Sequence, residues 1–267
     1  MRRYRSMENG VELVEENRSR FIRADGSSSL WRDYLAWHAL GNMPEPPLPR
    51  PYEFEPGRTR DLWIVGAGGF GREVYSMTRS ARGSDVQWRV AGFLNDVADA
   101  LDRFDGFPPI MAGTDYAPQE NDAFICAIGD VKGRKLVCER LREKGAEFIN
   151  LISEAALLSG SAKLGKGNII EAFAGIAANA QIENFSTVLA HTTIGHDVKI
   201  GNCVQISGYC DIHGWVEIGD GCLIGSHAVI LNKIKVGEGA TVGAGSVVIQ
   251  DVPPGSTVFG VPAKRIC

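Results

Sequence analysis

A six-residue repeat runs through the C-terminal half of the chain and constrains its fold more than any other feature. Counted in sixes from residue 150, the third position of every hexad is Ile, Leu or Val, seventeen times in succession from Ile152 to Val248. A fixed repeat of this kind predicts a solenoid, whose units bury their apolar faces only by stacking. A period of six fits neither a helix nor a flat sheet. It predicts a three-sided coil in which each side is a short strand followed by a corner.

The spacing also sets the dimensions of this solenoid. If three hexads make one coil, residues 18 apart stack about 4.8 Å from one another in parallel β fashion. The seventeen hexads then give between five and six coils, in a prism roughly 27 Å tall. The register runs to SVVIQDVPPG, where prolines end it. We therefore predict an all-β parallel β-helix within residues 150–267.

A smaller domain precedes the repeats. In DLWIVGAGGFGREVYSM, residues 61–77, an apolar strand runs into Gly66-x-Gly68-x-x-Gly71 and then into a helix. Backbone N–H groups and a helix N-terminus arranged in this way receive a phosphate. Alternatively, the glycines serve only a tight turn.

The elements downstream of this glycine loop alternate between strand and helix. WRVAGFLND and DAFICAIGD read as strands, KGRKLVCERLREKG as a helix and AEFINLI as a last strand. They predict a small Rossmann-like parallel sheet covered by helices, an α/β domain over residues 58–149. Only about 90 residues are present, too few for the two halves of a dinucleotide fold. A mononucleotide ligand is therefore favoured over NAD.

Residues 1–57 form an N-terminal extension of different composition. They are polar and charged, with one short candidate helix, SLWRDYLAWHAL. The proline-rich segment PEPPLPRPYEFEPG, residues 44–57, predicts a stiff, extended linker.

Composition narrows the partners of the protein. Among 267 residues the formal net charge is −4, which argues against the basic face of a nucleic-acid-binding protein. No apolar run suits a signal peptide or a membrane span, so we expect a cytoplasmic protein with a small-molecule ligand. The six cysteines form no CxxC pair, and buried free thiols are favoured over a zinc or redox motif.

Several motifs occur in order over residues 60–267: VGAGGFGREV, GFLND, AIGD, HDVKIGNCVQIS, VEIGDGCLIGSHAVI and VFGVPAKRI. In these motifs the chain resembles the left-handed β-helix, or hexapeptide-repeat, acyltransferases. Within them it resembles the bacterial sugar acyltransferases typified by the sialic acid O-acetyltransferase NeuD and the UDP-4-amino-sugar N-acetyltransferase PglD. The resemblance implies a left-handed coil, a homotrimer, acetyl transfer from acetyl-CoA and an active site between neighbouring prisms.

The resemblance also assigns catalytic residues. The family's catalytic histidine begins the segment H-[DE]-x-x-I-G, which His196 fits; His191 has one residue too few before Ile-Gly. Asp197 stands where the family has the acid that raises the basicity of this histidine. A near-neutral imidazole suits the task, because an amine or hydroxyl that attacks a thioester must lose a proton.

Binding residues follow from the same resemblance. Gln205 stands where relatives carry a CoA-contacting histidine, and an amide there can still donate a hydrogen bond to the thioester oxygen. Asn95 replaces the first of two paired aspartates that would read the nucleotide base. Lys264 and Arg265 carry charges that suit phosphate, although they could equally be solvated end charges. The full expected set for acetyl-CoA is Gln205, Ser226, Ala244, Lys264 and Arg265. The set for the nucleotide sugar is Gly68, Gly69, Phe70, Asn95, Asp96 and Gly129.

These features favour an acetyl-CoA-dependent N-acetyltransferase of polysaccharide biosynthesis that acts on a nucleotide-linked 4-amino sugar. The amine is favoured because the phosphate-type glycine loop indicates a substrate that carries a nucleotide. O-acetylation of a sugar such as sialic acid is the alternative.

Two other classes share the prism. The γ-class carbonic anhydrases bind zinc through three histidines, and His191, His196 and His227 partly match their spacing. The residues that would complete either triad are Ala155 and Asn232, whereas catalytic zinc keeps three protein ligands, so we expect no metal. A non-catalytic trimeric scaffold would explain the prism but not the His-Asp pair together with GVPAKR.

Overall fold

The computed structural model describes residues 3–7, 10–15, 18–23, 29–39, 59–79 and 88–266. The chain divides into two units, Met1–Pro49 and Arg50–Cys267. The segment 44–57, predicted as a stiff linker, lies outside the described residues.

The first unit contains a small antiparallel sheet and one helix. Its strands, in the order β1-β2-β3, are β1 (Arg3–Met7), β2 (Gly10–Glu15) and β3 (Arg18–Arg23). The helix, α1 (Ser29–Ala39), confirms the prediction from SLWRDYLAWHAL. The sheet was not predicted, because charged residues obscure the alternation of apolar and polar residues in GVELVE.

The second unit begins with the predicted parallel sheet. Its strands and helices are β4 (Arg60–Val65), α2 (Gly69–Met77), β5 (Trp88–Leu94), β6 (Ile110–Ala112), β7 (Asp122–Cys126) and α3 (Val131–Glu143). The four strands are parallel, in the order β6-β5-β4-β7. Leu62, Ile64, Phe93, Phe124 and Ile125 have no exposed surface, as expected for a sheet covered on both faces.

The prediction that AEFINLI forms one last strand was wrong. Phe148 makes only an isolated parallel bridge to Phe124, and the chain then leaves the sheet. Asn150 marks the exit: its side chain donates to the carbonyl of Gly165 and accepts from the amide of Asn168, both in the solenoid. Leu151–Ile152 is already the first strand of the solenoid.

The solenoid contains the seventeen strands that the hexads predict, each of two residues. They are β8 (Leu151–Ile152), β9 (Leu157–Leu158), β10 (Lys163–Leu164), β11 (Ile169–Ile170), β12 (Gly175–Ile176), β13 (Gln181–Ile182), β14 (Thr187–Val188), β15 (Thr193–Ile194), β16 (Lys199–Ile200), β17 (Gln205–Ile206), β18 (Asp211–Ile212), β19 (Glu217–Ile218), β20 (Leu223–Ile224), β21 (Val229–Ile230), β22 (Lys235–Val236), β23 (Thr241–Val242) and β24 (Val247–Val248). Residues 18 apart pair in parallel, as Lys199 pairs with Glu217. The fold is therefore a parallel β-helix, as predicted.

The strands of the β-helix form three sheets, which we call faces I, II and III. Face I begins with β8, face II with β9 and face III with β10. From Ile170 to Val248 the second residue of every strand points inward and is at most 3% exposed. Face I is extended by a C-terminal hairpin of β25 (Thr257–Phe259) and β26 (Lys264–Arg265).

The α/β domain covers part of face I. The outward residues Leu151, Ile169, Thr187 and Gln205 of that face are buried, and the first two join the apolar cluster of the sheet. Outward residues on the other faces, such as Lys199 and Asp211, are exposed. Face I is thus the side of the β-helix on which the α/β domain lies.

Left-handed backbone conformations turn the chain at the corners. Corner 1 joins faces I and II, corner 2 joins faces II and III, and corner 3 joins faces III and I. Within the β-helix, which the structure describes throughout, ten non-glycine residues have φ between 55° and 66°, a conformation that the neighbouring coils must hold in place. They are Phe173, His191, Tyr209 and His227 at corner 1, Asn179, Asp197, Trp215 and Lys233 at corner 2, and Phe185 and Cys203 at corner 3.

Two further observations bear on the predictions. None of the helices in the described ranges has the length and apolar character that a membrane crossing requires. Five cysteines are buried and free, as expected, and Cys267 lies outside the described residues.

Candidate active site

His196 and Asp197 lie at corner 2, between β15 and β16. Successive residues of a strand point to opposite faces, but Asp197 has φ of 59°, which breaks that alternation. The two side chains therefore meet: Nδ1 of His196 is 2.9 Å from Oδ2 of Asp197. The imidazole is about half exposed, so a ligand can reach it.

The carboxylate of Asp197 orients this imidazole. Its second oxygen accepts a hydrogen bond from Nδ2 of Asn179, one coil earlier, at 3.2 Å. The hydrogen bond with His196, and to a smaller extent that with Asn179, holds the pKa of Asp197 below its usual range. An ionised carboxylate only accepts, so Nδ1 of the neutral imidazole carries the proton and Nε2 keeps its lone pair.

Two residues missed by sequence reasoning pack against the imidazole. The ring of Trp215 meets it edge-on, with centroids 4.3 Å apart. Gly214 lies one coil above His196, where an added Cβ would fall 2.7 Å from Nε2. The 18-residue register could have identified Gly214, because it brings residue 214 onto residue 196.

A second histidine–aspartate pair lies near this corner on face II. Nε2 of His213 is 3.2 Å from Oδ2 of Asp211, and Oγ1 of Thr193 donates to the other oxygen at 2.5 Å. These residues line a groove of about 540 Å³ along face II that also includes Gly195, next to His196. No sequence motif predicted this pair.

The residues expected to contact acetyl-CoA lie elsewhere on the prism. Ser226 and Ala244 stand in adjacent coils of corner 1, where the amide of Gly245 donates to the carbonyl of Ser226 at 2.8 Å. Lys264 and Arg265 are exposed on β26 at the end of face I. His196 is at corner 2, so face II separates it from Ser226 and Ala244. The chain brings His196 to Asp197 but not to these four residues.

Gln205 differs from the rest of this group because it is buried. It lies on face I beneath α3, with 8% of its surface exposed. Its Oε1 accepts a hydrogen bond from Nη1 of Arg134 at 2.8 Å.

The six residues expected to bind the nucleotide sugar meet at one edge of the parallel sheet. Gly68, Gly69 and Phe70 follow β4, Asn95 and Asp96 follow β5, and Gly129 follows β7. These strands are neighbours, and open α/β sheets bind ligands at the carboxyl ends of their strands. The side chain of Phe70 packs on the core, which leaves its backbone for a ligand.

The glycines at this edge fall into two kinds. Gly66 has φ of +104°, and a Cβ on Gly71 would overlap the carbonyl oxygen of Gly66, so packing alone explains both. Gly68 and Gly129 have no atom within 4 Å of an added Cβ, and Gly69 has only the end of Arg72. The turn does not explain Gly68, Gly69 and Gly129. Glycines at these positions fit a ligand that approaches the backbone closely.

Asn95 and Asp96 are both hydrogen-bonded within the domain. Asn95 accepts from the amide of Ala67 at 3.2 Å and donates to the carbonyl of Val97 at 2.8 Å. Asp96 accepts from the amide and the hydroxyl of Thr114, at 2.7 and 2.9 Å. The amide hydrogen bond, followed by that of the hydroxyl, lowers the pKa of Asp96.

Two other histidines of the repeat, His191 and His227, stack with aromatic rings. At corner 1, His191 lies between Phe173 and Tyr209, with ring centroids 4.8 and 4.7 Å apart, and His227 stacks on Tyr209 at 5.0 Å. His191 and His196 are therefore at different corners. The part of the chain that the structure describes has no group of three His, Cys, Asp or Glu residues suited to hold a metal ion.

Two family models match the chain. The PglD N-terminal domain matches residues 61–141. The bacterial transferase hexapeptide model, of six repeats, matches residues 197–232 and 216–250. No curated protein sequence matches the chain.

Three solved structures are similar to this chain over most of its length. The acetyltransferase domain of PglB from Neisseria gonorrhoeae FA1090, in complex with acetyl coenzyme A, is 30% identical with a TM-score of 0.70, over 79% of this chain and 100% of that one. PerB from Caulobacter crescentus, in complex with CoA and GDP-perosamine, is 25% identical with a TM-score of 0.70, over 78% and 97%. WeeI from Acinetobacter baumannii AYE is 26% identical with a TM-score of 0.67, over 78% and 100%.

Proposed function

The chain belongs to the NeuD/PglD-like family of hexapeptide-repeat sugar acetyltransferases, and from this we propose that it acetylates the amino group of a nucleotide-linked 4-amino sugar with acetyl-CoA. The observation that carries the proposal is the hydrogen bond between His196 and Asp197 at corner 2. It leaves Nε2 of a half-exposed imidazole as a proton acceptor. PerB, a structural relative, holds CoA together with a GDP-linked sugar.

His196 is the general base of the proposed reaction. Acetyl-CoA supplies the acetyl group as a thioester. Nε2 of His196 accepts the proton that the amine loses as its nitrogen bonds to the thioester carbon, and returns it to the sulfur when the carbon–sulfur bond breaks. Asp197 stabilises the imidazolium between these two transfers.

The nucleotide sugar binds at the carboxyl edge of the parallel sheet. Backbone amides of Gly68, Gly69 and Phe70 at the start of α2 receive a phosphate, since α2 has no side-chain cap at Gly68. Asn95 and Asp96 face the nucleotide, and Gly129 permits close approach to the backbone after β7. The open space beside these glycines supports this assignment.

Acetyl-CoA binds along corner 1 and the C-terminal hairpin. Ser226 and the backbone of Ala244 contact the pantetheine arm, and Gln205 donates to the thioester oxygen. Lys264 and Arg265 are exposed cations at the end of the prism and suit the phosphates of the nucleotide.

The site is completed by a second copy of the chain, in a homotrimer. Within one chain His196 and the corner 1 residues stand at opposite edges of face II, so one molecule does not bring the base to the thioester. A neighbouring prism with its corner 2 against this corner 1 brings its His196 to the thioester. In a closed ring of three prisms, every copy then has a complete site. We propose a cytoplasmic protein of polysaccharide biosynthesis, divided at about residues 57 and 149.

A substrate panel tests the proposal directly. UDP-, dTDP- and GDP-linked 4-amino sugars are incubated with acetyl-CoA and the purified protein, and thiol release is followed. We expect one nucleotide series to be acetylated on nitrogen. Matched 4-hydroxy sugars and sialic acid are the controls, and acetylation of these alone would favour O-acetyl transfer.

A further inference from the structure

Arg134 is a buried cation in the contact between α3 and face I. It is 1% exposed, and its hydrogen bonds within the described part of the chain include none to a carboxylate. Its guanidinium instead donates to neutral oxygens: the carbonyls of Ile128 and Cys203, the hydroxyl of Thr187 and the amide oxygen of Gln205.

A charge in this position is costly. Burial lowers the pKa of Arg134, which reports the unfavourable desolvation of the cation. Apolar residues of similar volume often replace buried ions without loss of stability, so stability alone explains this arginine poorly. A role in fixing the conformation of a neighbour is the alternative.

The neighbour whose conformation Arg134 fixes is Gln205. A guanidinium has only donors, so the amide must turn its oxygen toward Nη1, and the 2.8 Å contact has that arrangement. The amide nitrogen, Nε2, then points away from Arg134. Nε2 makes no hydrogen bond with any residue that the structure describes, so both of its donors remain for a ligand.

We propose that Arg134 is a positioning residue that holds the amide of Gln205 with its N–H donors toward the thioester oxygen of acetyl-CoA. This inference rests on the proposed function, because it takes Gln205 as an acetyl-CoA contact. Without Arg134 the amide can turn over and present its oxygen, which would repel the thioester carbonyl.

Arg134 also ties this donor to the nucleotide-sugar edge. It lies in the first turn of α3, which begins two residues after Gly129. The helix is capped by Asp130, whose carboxylate accepts from the amide of Gly133 at 2.6 Å. The loop at the sugar edge and the donor on face I are therefore joined by one rigid helical turn.

Gln205→Glu separates this role from a structural one. A carboxylate should pair with Arg134 and keep or raise the melting temperature, because the buried cation gains a counter-ion. The outward atom becomes an anionic acceptor, so the Kd for acetyl-CoA should rise about tenfold or more. The Kd for CoA, which has no thioester oxygen, should rise less, and that for the nucleotide sugar should change less than about twofold. Calorimetry with each ligand alone gives all three values.

A double-mutant cycle tests Arg134 itself. Arg134→Met should weaken acetyl-CoA binding about tenfold in the native background and add little in the Gln205→Ala background, since the arginine acts through that side chain. Arg142→Met, the same change at an exposed position of α3, is the control.

Additive effects in the cycle, or equal losses of CoA and acetyl-CoA in Gln205→Glu, would overturn the inference. If Arg134→Met does not fold, the ligand comparison in Gln205→Glu still decides it. Wild-type protein that binds acetyl-CoA but acetylates no amino sugar would defeat the proposed reaction and leave the positioning role standing.

Discussion

Gly214 lies directly over the imidazole of His196, so close that a Cβ atom at residue 214 would fall 2.7 Å from Nε2. The nitrogen proposed to accept the proton is thus the atom that any side chain at this position would displace.

Gly214→Ala should therefore lower kcat by about 10- to 100-fold while the protein stays folded, because it moves the base rather than removing it. Gly160→Ala is the matched control. Residue 160 belongs to the same column three coils before residue 214, and an added Cβ there meets no atom within 4 Å. Equal activity of the two variants would argue against His196 as the base.

His196→Ala removes the proposed base and should lower kcat by ~10²- to 10⁴-fold. His191→Ala is the control, because this ring stacks with Phe173 and Tyr209 at another corner. This change should lower the melting temperature, and it should lower turnover far less than His196→Ala does. Wild-type turnover of trimeric His196→Ala at saturating substrates would exclude this residue from the mechanism.

Asp197→Asn should change the pH profile of kcat/KM. The hydrogen bond to His196 holds the pKa of Asp197 below its usual range, so this carboxylate is ionised near neutral pH. An anion beside the ring favours the imidazolium; without it the base loses its proton more readily. The acidic limb of the profile should shift to lower pH, and the plateau should fall on the order of tenfold.

The lowered pKa of Asp197 also makes the stability of the fold depend on pH. A lowered carboxyl pKa stabilises the fold at pH values above the ordinary aspartate range, and this effect is lost as pH falls through the lowered value.

Asp211→Asn, beside His213, is the control for the pH profile of Asp197→Asn. An unchanged acidic limb in Asp197→Asn would contradict the proposed role of the acid.

Gly69→Val should weaken binding of the nucleotide sugar and leave the Kd for acetyl-CoA nearly unchanged, since the proposed sites for the two ligands, the loop edge and corner 1, lie on different domains. Gly71→Ala is the informative contrast. Its Cβ would overlap the carbonyl oxygen of Gly66, so it should destabilise the fold by about 1–3 kcal/mol. Calorimetry and thermal unfolding separate the two effects, and equal loss of both ligands in Gly69→Val would make the loop structural.

Mixed trimers test whether the site is shared. His196→Ala and Ala244→Trp should each be inactive, because the first lacks the base and the second blocks the exposed corner expected to hold the pantetheine arm. Subunits refolded together should regain about a quarter of wild-type activity, since random pairing gives that fraction of sites with both parts intact. Absence of rescue, or a stable monomer in light scattering, would place the whole site within one chain.

The hexad pattern was sufficient to predict the β-helix, because a period of six leaves little freedom in how coils stack. It was not sufficient for the contact between His196 and Asp197, which depends on the left-handed backbone of Asp197. The arginine behind Gln205 was beyond any local pattern: the two residues are 71 positions apart and belong to different domains. The three strands within residues 3–23 were not predicted for a different reason. Their apolar residues are few, and charged residues obscure the alternation of apolar and polar positions.

The register of 18 residues also limits how this enzyme can change length. Insertion of one residue within a strand would rotate every later side chain out of its column, separating Asn179 from Asp197 and Gly214 from His196. Insertion of one complete coil would keep all columns and move the C-terminal hairpin by about 4.8 Å, the distance between neighbouring strands. The height of the prism can therefore change only by whole coils, in steps of about 4.8 Å, if the columns at the corners are to be kept.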